Sequence, residues 1–314
     1  MKKRNKVKDT QMNTFAYIAS PDSIEKIKII WPSARYLPSF AIKVLLRKNR
    51  LIKTVYIKGI KSILGKEISG FIALCPLLEI DNLFLEDKLM EALVYCQNQR
   101  VSVIGIDGRV SSLADRIYQK INSKIKTPIT DGNAFTAWSV VEAIYRYIKT
   151  KGRDIKNLTL YISDSDTVLG RLCKEKLSEY TAEITESISE ADIVVILHPG
   201  QTGESEIINK IKSQAVLCEV YSYSGAYEKI RREDIFYIRG GLVKLPYPGN
   251  IKIKTPFPPG VIWTSLAETM LFAFAKIPFA HHFGSAINPD IPEEIANIAV
   301  QHGFEVWVPE APLI

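Results

Sequence analysis

The chain contains 314 residues, of which 46% are hydrophobic and 24% are charged, a composition typical of a globular protein with one large core or two smaller ones. No apolar run is long enough to span a bilayer, and the four cysteines and four histidines form no metal-binding pattern. The first residues lack the pattern of a secretory signal, so we expect a cytoplasmic protein with reduced thiols and no metal.

The positive charge is concentrated in the front part of the chain. Residues 1–130 hold 23 Lys and Arg against 11 Asp and Glu, whereas residues 131–314 hold 18 against 23. A basic front lobe would attract an acidic partner such as an acyl carrier protein or a nucleotide, and a solvated Lys-rich surface is the alternative explanation. No motif of a nucleic-acid-binding module is present, so we expect no nucleic acid partner.

Strands and helices alternate in this front part. Runs rich in Val, Ile and Phe predict strands at residues 14–19, 53–60, 69–75 and 101–106. Ser20 and Pro21 are suited to open a helix, with Ser20 as the N-cap, and residues 86–97 have helical spacing. The alternation favours a mainly parallel sheet that is covered by helices on both faces.

A turn signal at residues 131–133 precedes a predicted helix over residues 134–150, and the polar residues 151–156 predict a crossing into a second lobe. In that lobe, short apolar runs predict a helix at residues 169–177 and strands at residues 158–162, 182–185, 193–197, 215–220 and 236–238. A strand, a turn and a helix followed by recurring strands are typical of a Rossmann-like nucleotide-binding fold.

Two further helices are predicted near the end of the chain, at residues 261–275 and 292–302. The second has Pro292 in its first turn and Gly303 just past its end. We expect both to pack on the front lobe. The predicted fold class is therefore two-lobed α/β, with a front α/β domain (residues 1–150), a shortened Rossmann-like domain (residues 151–255) and returning C-terminal helices (residues 256–314).

Four segments resemble the long-chain acyl-[acyl-carrier-protein] reductases in their order and spacing. They are Phe15-Ala16-Tyr17-Ile18, Ile129-Thr130-Asp131-Gly132-Asn133-Ala134-Phe135-Thr136-Ala137, residues 235–243 with Gly240-Gly241, and Leu266-Ala267-Glu268-Thr269-Met270-Leu271 followed by His302-Gly303-Phe304. The resemblance spans almost the whole chain and implies a layout like that of shikimate-type dehydrogenases. It also implies NADPH as cofactor and reduction of an acyl thioester to an aldehyde through a cysteine that carries the acyl group.

The cysteine of that family has no counterpart here, because Ser265 stands at its position, three residues before Glu268. A serine needs a general base to act as a nucleophile. His281 or His282 would have to supply it through folding; otherwise Ser265 is a small helix residue. Cys218, at the end of a predicted strand, is a second candidate catalytic residue, with a buried hydrophobic role as the alternative.

The predicted cofactor-binding turn also departs from the family. Where the family has three glycines, this chain has Asp164, Thr167 and Gly170. Gly170 would allow close packing of helix on strand. The carboxylates of Asp164 and Asp166 would cap the helix and would repel a pyrophosphate.

The predicted substrate-binding residues are Gly132, Asn133, Thr136 and Glu268. The first three open a helix whose N-terminus would hold a carboxylate or another polar group, and a plain Asn133 cap is the alternative. Gly240 and Gly241 are assigned to the cofactor, since glycines let the backbone approach a nicotinamide ring, although a simple turn needs the same residues.

Two functions follow from these features. The first is a reductase that uses NADPH or NADH on an acyl-derived or other carbonyl substrate, with Ser265 and Asn133 positioning the substrate. The second is a degenerate relative that binds an acyl carrier, another partner or a small ligand without turnover. A homo-oligomer is compatible with either.

Overall fold

The computed structural model describes residues 14–21, 23–48, 54–75, 82–197, 204–220, 232–251, 257–276, 281–284, 287 and 290–308. Lys53, the first residue of the second predicted strand, lies outside these ranges. Within them the strands are β1 (Thr14–Ala19), β2 (Thr54–Lys61), β3 (Glu67–Leu74), β4 (Val103–Ile106), β5 (Ile129–Thr130), β6 (Thr159–Ile162), β7 (Glu183–Ile184), β8 (Ile193–Ile196), β9 (Val216–Val220), β10 (Phe236–Gly240), β11 (Leu242–Lys244), β12 (Asn250–Ile251), β13 (Val261–Trp263), β14 (His281–His282) and β15 (Glu305–Val306).

The α-helices of the same residues are α1 (Ile24–Ile30), α2 (Ser39–Lys48), α3 (Asn82–Asn98), α4 (Ser111–Arg116), α5 (Tyr118–Lys124), α6 (Asn133–Thr150), α7 (Val168–Ser178), α8 (Glu204–Lys210), α9 (Thr264–Ala275) and α10 (Ile291–His302). None of these helices is both long enough and apolar enough to cross a membrane.

The strands form one sheet in each lobe and a small third sheet. The front sheet has the order β12-β2-β3-β1-β4-β5-β14; the strands from β3 to β14 are parallel to one another, whereas β2 pairs antiparallel with both β3 and β12. The second sheet has the order β10-β9-β8-β6-β7 and is parallel throughout. The third, β13-β11-β15, is antiparallel. This arrangement confirms the predicted two-lobed α/β fold class.

Helices cover both faces of the front sheet. Successive side chains of a strand point to opposite faces, so each strand contributes residues to the core on both sides. Phe15 and Tyr17 of β1 lie in the core beneath α9, whereas Ala16 and Ile18 lie in the core beneath α3. Helix α9 packs on β1, β3 and β4, and α10 packs on α9 and α6. The C-terminal helices therefore return to the front lobe, as predicted.

Helix α6 joins the lobes. It begins directly after β5 of the front sheet, and its other end packs on α7 and β10 of the second lobe. Ile144 and Ile148 of this helix are buried. Since α9 and α10 also pack on α6, this helix fixes how the site between the lobes is assembled.

Two local predictions were wrong. Helix α1 is capped by Ser23, whose Oγ accepts a hydrogen bond from the Lys26 amide at 3.3 Å. Ser20 is instead fully buried at the end of β1, where its amide donates to Asp107 Oδ2 at 3.3 Å. The apolar segment before α9 begins as strand β13, because the backbone of Val261–Trp263 pairs with β11 and only the following residues are helical.

Candidate functional site

The second sheet has a switch point between β6 and β8, from which the chain winds in opposite directions. Open α/β sheets bind ligands at the carboxyl ends of the strands at such a point. Here the two strand ends are tied together through Ser163. Its amide donates to the Val195 carbonyl at 2.9 Å, and its Oγ accepts from the Leu197 amide at 3.0 Å.

The bend between β6 and α7 and the first turn of α7 contain three of the predicted cofactor-binding residues, Asp164, Thr167 and Gly170. Thr167 caps α7, because its Oγ1 accepts from the Gly170 amide at 3.1 Å and donates to the Asp164 carbonyl at 2.8 Å. The prediction that Asp164 and Asp166 cap this helix was therefore wrong. A Cβ on Gly170 would lie 2.2 Å from the Asp164 carbonyl oxygen, which shows why this position holds glycine.

The side chains at this bend determine its charge. Asp164 has a φ of +51°, a conformation that glycine adopts more readily, and the side chains of Asp164 and Asp166 are exposed. The guanidinium of Arg171 donates to the Asp166 carbonyl at 2.8 Å. The bend thus carries two exposed carboxylates and one guanidinium.

The glycine pair at the end of β10 packs against the starts of two helices. A Cβ on Gly240 would lie 2.8 Å from Cys218 Sγ. Gly241 has a φ of +73°, and its carbonyl accepts from Thr264 Oγ1 at 3.1 Å. Thr264 Oγ1 is in turn 2.7 Å from Thr136 Oγ1. The glycine pair therefore joins the second sheet to α6 and α9.

Ser265 is buried in the first turn of α9, with only 3% of its surface exposed. Its Oγ lies 2.8 Å from the Tyr17 hydroxyl, and a Cβ on Gly132 would lie 2.3 Å from its Cα. The predicted base does not reach it: His282 lies beside Glu268, and the His281 ring packs on Phe283 at 5.9 Å. No role was predicted for Tyr17, although it lies in the first of the four segments that resemble the reductases.

Glu268 ties α9 to the start of α6. It is fully buried, with one carboxylate oxygen accepting from the Thr130 hydroxyl and the other from the Phe135 amide at 2.7 Å. His282 Nδ1 lies 3.8 Å from the first of these oxygens. Because both oxygens have partners inside the protein, the geometry favours a structural role for Glu268 over contact with substrate.

Asp131 and Asn133 form a second buried group beside Glu268. Asp131 accepts hydrogen bonds from the Asn133 side chain at 2.7 Å, from Ser111 Oγ at 2.5 Å and from the Gly284 amide at 2.9 Å. Asn133 is only 4% exposed, and its side chain donates to Asp131. The Asp131 carboxylate also accepts from the Asn133 amide at 3.0 Å, so Asp131 and not Asn133 accepts a backbone hydrogen bond at the start of α6.

Burial and neighbouring charges shift the pKa values of Asp131 and His282. Burial, against three hydrogen bonds that favour the carboxylate and with a smaller contribution from the nearby Glu268 charge, raises the pKa of Asp131 to about 6. Burial opposes charge on the imidazole of His282, but the carboxylates of Glu268 and Asp131 outweigh it and raise the pKa of His282 above its usual value. Because the Asp131 carboxylate is one of the charges that raise the pKa of His282, protonation of Asp131 and protonation of His282 depend on each other.

Replacing Glu268 with Gln is expected to lower the pKa of His282, because burial still opposes the imidazolium while its main counter-charge is removed. The native protein should lose the stability that protonated His282 supplies as the pH rises through this raised pKa, and Glu268→Gln should lose less. Titration of the His282 ring by NMR measures the shift. Glu142→Gln, in an ion pair with Arg146 on α6, is the control, and an unchanged His282 pKa in Glu268→Gln would contradict the assignment.

Cys218 does not have the surroundings of a nucleophile. It is fully buried, and burial raises the pKa of its thiol far above the usual range. A thiol in this state carries almost no thiolate at neutral pH, so the geometry favours the hydrophobic role. In the described part of the chain, no three His, Cys, Asp or Glu side chains form a group that could hold a metal ion.

No protein-family model and no curated protein matches the chain. Among solved structures, the bifunctional methylenetetrahydrofolate dehydrogenase/cyclohydrolase of Campylobacter jejuni is 12% identical, with 84% of this chain and 89% of that chain covered and a TM-score of 0.38. The corresponding Trypanosoma brucei enzyme, solved with NADP and an inhibitor, is 12% identical over 84% and 87%, with a TM-score of 0.41. L-tryptophan dehydrogenase of Nostoc punctiforme is 11% identical over 93% and 80%, with a TM-score of 0.36.

These are distant likenesses to proteins with dehydrogenase folds. They do not single out the acyl-[acyl-carrier-protein] reductases, and similarity at this level does not assign an activity.

Proposed function

We propose that the protein is a reductase that binds NADPH or NADH at the β6–β8 switch point and acts on an acyl-derived or other carbonyl compound. The main support is the convergence of four segments at the starts of α6 and α9. Gly132 contacts Ser265, Ser265 contacts Tyr17, and Thr264 contacts Gly241, although these residues are far apart in the sequence. In a two-lobed fold this place lies beside the carboxyl edge of the second sheet, where ligands bind.

Some features of the bend between β6 and α7 suit a dinucleotide, and others oppose it. Gly170 allows the close packing of α7 that such sites need, and Gly241 offers backbone without a side chain beside Thr136. The exposed Asp164 carboxylate opposes a pyrophosphate at the same bend, and Arg171 offsets part of that charge. The proposal therefore includes weak nucleotide binding.

When bound, the nicotinamide would supply hydride, so no acyl-enzyme would be required for an aldehyde, ketone or imine. Ser265, supported by Tyr17 at 2.8 Å, would hold the carbonyl oxygen by a hydrogen bond. Its 3% exposure means that substrate would reach it only when α6 and α9 separate slightly at their starts. Titration of the protein with NADPH and NADH by calorimetry tests the proposal, and no binding at millimolar nucleotide would reject it.

The second candidate is a protein that binds a ligand or partner without turnover. It is favoured by the acidic bend and by the enclosure of both candidate nucleophiles, Ser265 and Cys218. An acyl carrier protein at the basic front lobe would be such a partner, and a homo-oligomer would be compatible with it. Micromolar binding of NADPH or NADH would reject this candidate.

Asp164→Gly is expected to tighten nucleotide binding by about tenfold, because it removes a carboxylate that opposes the pyrophosphate and suits the local φ of +51°. Asp164→Asn separates the two effects, since it removes the charge and keeps the side chain. Adding Thr167→Gly should tighten binding further and weaken the α7 cap by only a few tenths of a kcal/mol.

The control for this series is Glu175→Gln, which removes an exposed carboxylate from α7 at a distance from the bend. Its dissociation constant should equal that of the native protein. Equal affinities for Asp164→Gly and the native protein would mean that no phosphate lies at the bend.

A further inference from the structure

A stripe of apolar side chains is exposed along α2 and the turn of 3₁₀ helix before it. Tyr36 is 90% exposed, Phe40 72%, Val44 46% and Leu45 36%. Val44 lies four residues after Phe40, so these two side chains lie on one side of α2, and Leu45 follows Val44. Tyr36 ends the 3₁₀ helix and is separated from α2 by Leu37 and Pro38. Single exposed apolar residues are normal on protein surfaces, but a continuous stripe of them indicates an interaction site.

A different side of α2 is buried against the rest of the protein. Ile42 is fully buried and packs with Ala34, Ile24 and Ile27 in a small separate core. The apolar stripe is therefore additional to the residues that attach α2 to the protein. Substitutions in it should change the surface and leave the core intact.

The stretch of sequence that contains the stripe carries charge of one sign. Residues 26–66 contain eleven Lys and Arg and no Asp or Glu. Arg35, next to Tyr36, is exposed, and Lys43 lies within α2 itself. Exposed aromatic and aliphatic side chains together with Lys and Arg are the features of helices that lie at the interface of an anionic bilayer.

The degree of exposure favours a lipid surface over a protein partner. Aromatic anchors of protein interfaces are inserted into pockets and surrounded by other contacts. A ring that is 90% exposed, such as that of Tyr36, protrudes from the surface, and a headgroup layer accepts it without a complementary pocket.

We propose that the protein binds peripherally to anionic lipid bilayers through the stripe formed by Tyr36, Phe40, Val44 and Leu45. The four side chains insert at the level of the headgroups, and the surrounding Lys and Arg contact the lipid phosphates. This surface is separate from the site between the lobes, and its test does not depend on nucleotide binding.

Sedimentation of the full chain with vesicles tests the proposal. One set of vesicles is phosphatidylcholine and the other also contains about 30% phosphatidylglycerol, which supplies the negative surface potential. We expect binding only to the second set and a marked loss at about 0.5 M salt, since salt screens the attraction. The variant Tyr36→Ser, Phe40→Ser should bind at least about tenfold more weakly, because it removes two inserted rings.

Two further variants make the test specific. Val44→Ser, Leu45→Ser should weaken binding in the same direction, and it replaces the first variant if that one fails to fold by circular dichroism. Tyr247→Ser, Val300→Ser is the matched control, because it removes an exposed ring and an exposed aliphatic side chain, 56% and 63% exposed, that lie outside the stripe.

The proposal would be overturned by a lack of sedimentation with anionic vesicles, by equal loss of binding in the matched control, or by native binding in both stripe variants. A native dimer that becomes monomeric in the stripe variants, without any vesicle binding, would assign the surface to a second copy of the chain. Binding of an acidic carrier protein through the stripe without vesicle binding would likewise overturn it.

Discussion

Replacing Gly132 with alanine is expected to destabilise the protein by about 3 kcal/mol or more. The added Cβ would lie 2.3 Å from the Cα of Ser265, which is backbone and cannot move without shifting α9. Gly132 also has a φ of +76°, a conformation that disfavours residues with a Cβ. The contact joins β5 and α6 to α9, so the damage should spread to the packing of the C-terminal helices.

Gly65→Ala separates these two causes. Gly65 has a nearly identical φ of +72°, and a Cβ there would meet nothing within 4 Å. This control should lose only the conformational part, about 1 kcal/mol. Urea unfolding of both variants measures the difference, and equal losses would show that the contact with Ser265 does not restrict position 132.

Replacing Glu268 with alanine is expected to destabilise the protein by about 3–5 kcal/mol. The change leaves the Phe135 amide and the Thr130 hydroxyl without their acceptor in a site that water does not reach. It also leaves the His282 imidazolium without its nearest counter-charge. A buried donor without an acceptor carries the full penalty of its lost hydration.

Glu142→Ala is the control, because its carboxylate forms an ion pair with Arg146 on the exposed side of α6. That variant should change the free energy of unfolding by less than about 0.5 kcal/mol. Glu268→Gln should lie between the two, since its amide can still accept from Phe135. A loss for Glu268→Ala as small as that of the control would mean that the carboxylate is not needed to join α9 to α6.

These expectations change how the resemblance to the acyl-[acyl-carrier-protein] reductases should be interpreted. Gly132, Gly240 and Glu268 lie in three of the retained segments, and each has a packing role that any protein with this layout needs. Their presence therefore supports the fold and does not distinguish a working reductase from a relative without turnover. The residues that would distinguish them are Asp164 at the bend and Ser265 at the start of α9.

The amino-acid sequence by itself determined the elements whose residues satisfy local rules. The buried runs of β1, β6 and β8 are rich in Val, Ile, Leu and aromatic residues and were predicted within one or two residues. Helix α10 was predicted from Pro292 and Gly303, and Gly303 indeed ends it with a φ of +80°. In these segments local propensity and tertiary packing favour the same conformation.

Only the tertiary structure decided the remaining features. Residues 261–263 suit a helix or a strand equally in composition, and pairing with β11 selected the strand. Ser20 has the side chain of a helix cap, but it lies just after the carboxyl end of β1, where its amide donates to Asp107. The partner of Ser265 is Tyr17, 248 residues away, and not a histidine. Such contacts depend on which faces of distant elements pack together. The pattern of residues within a single segment does not specify that packing.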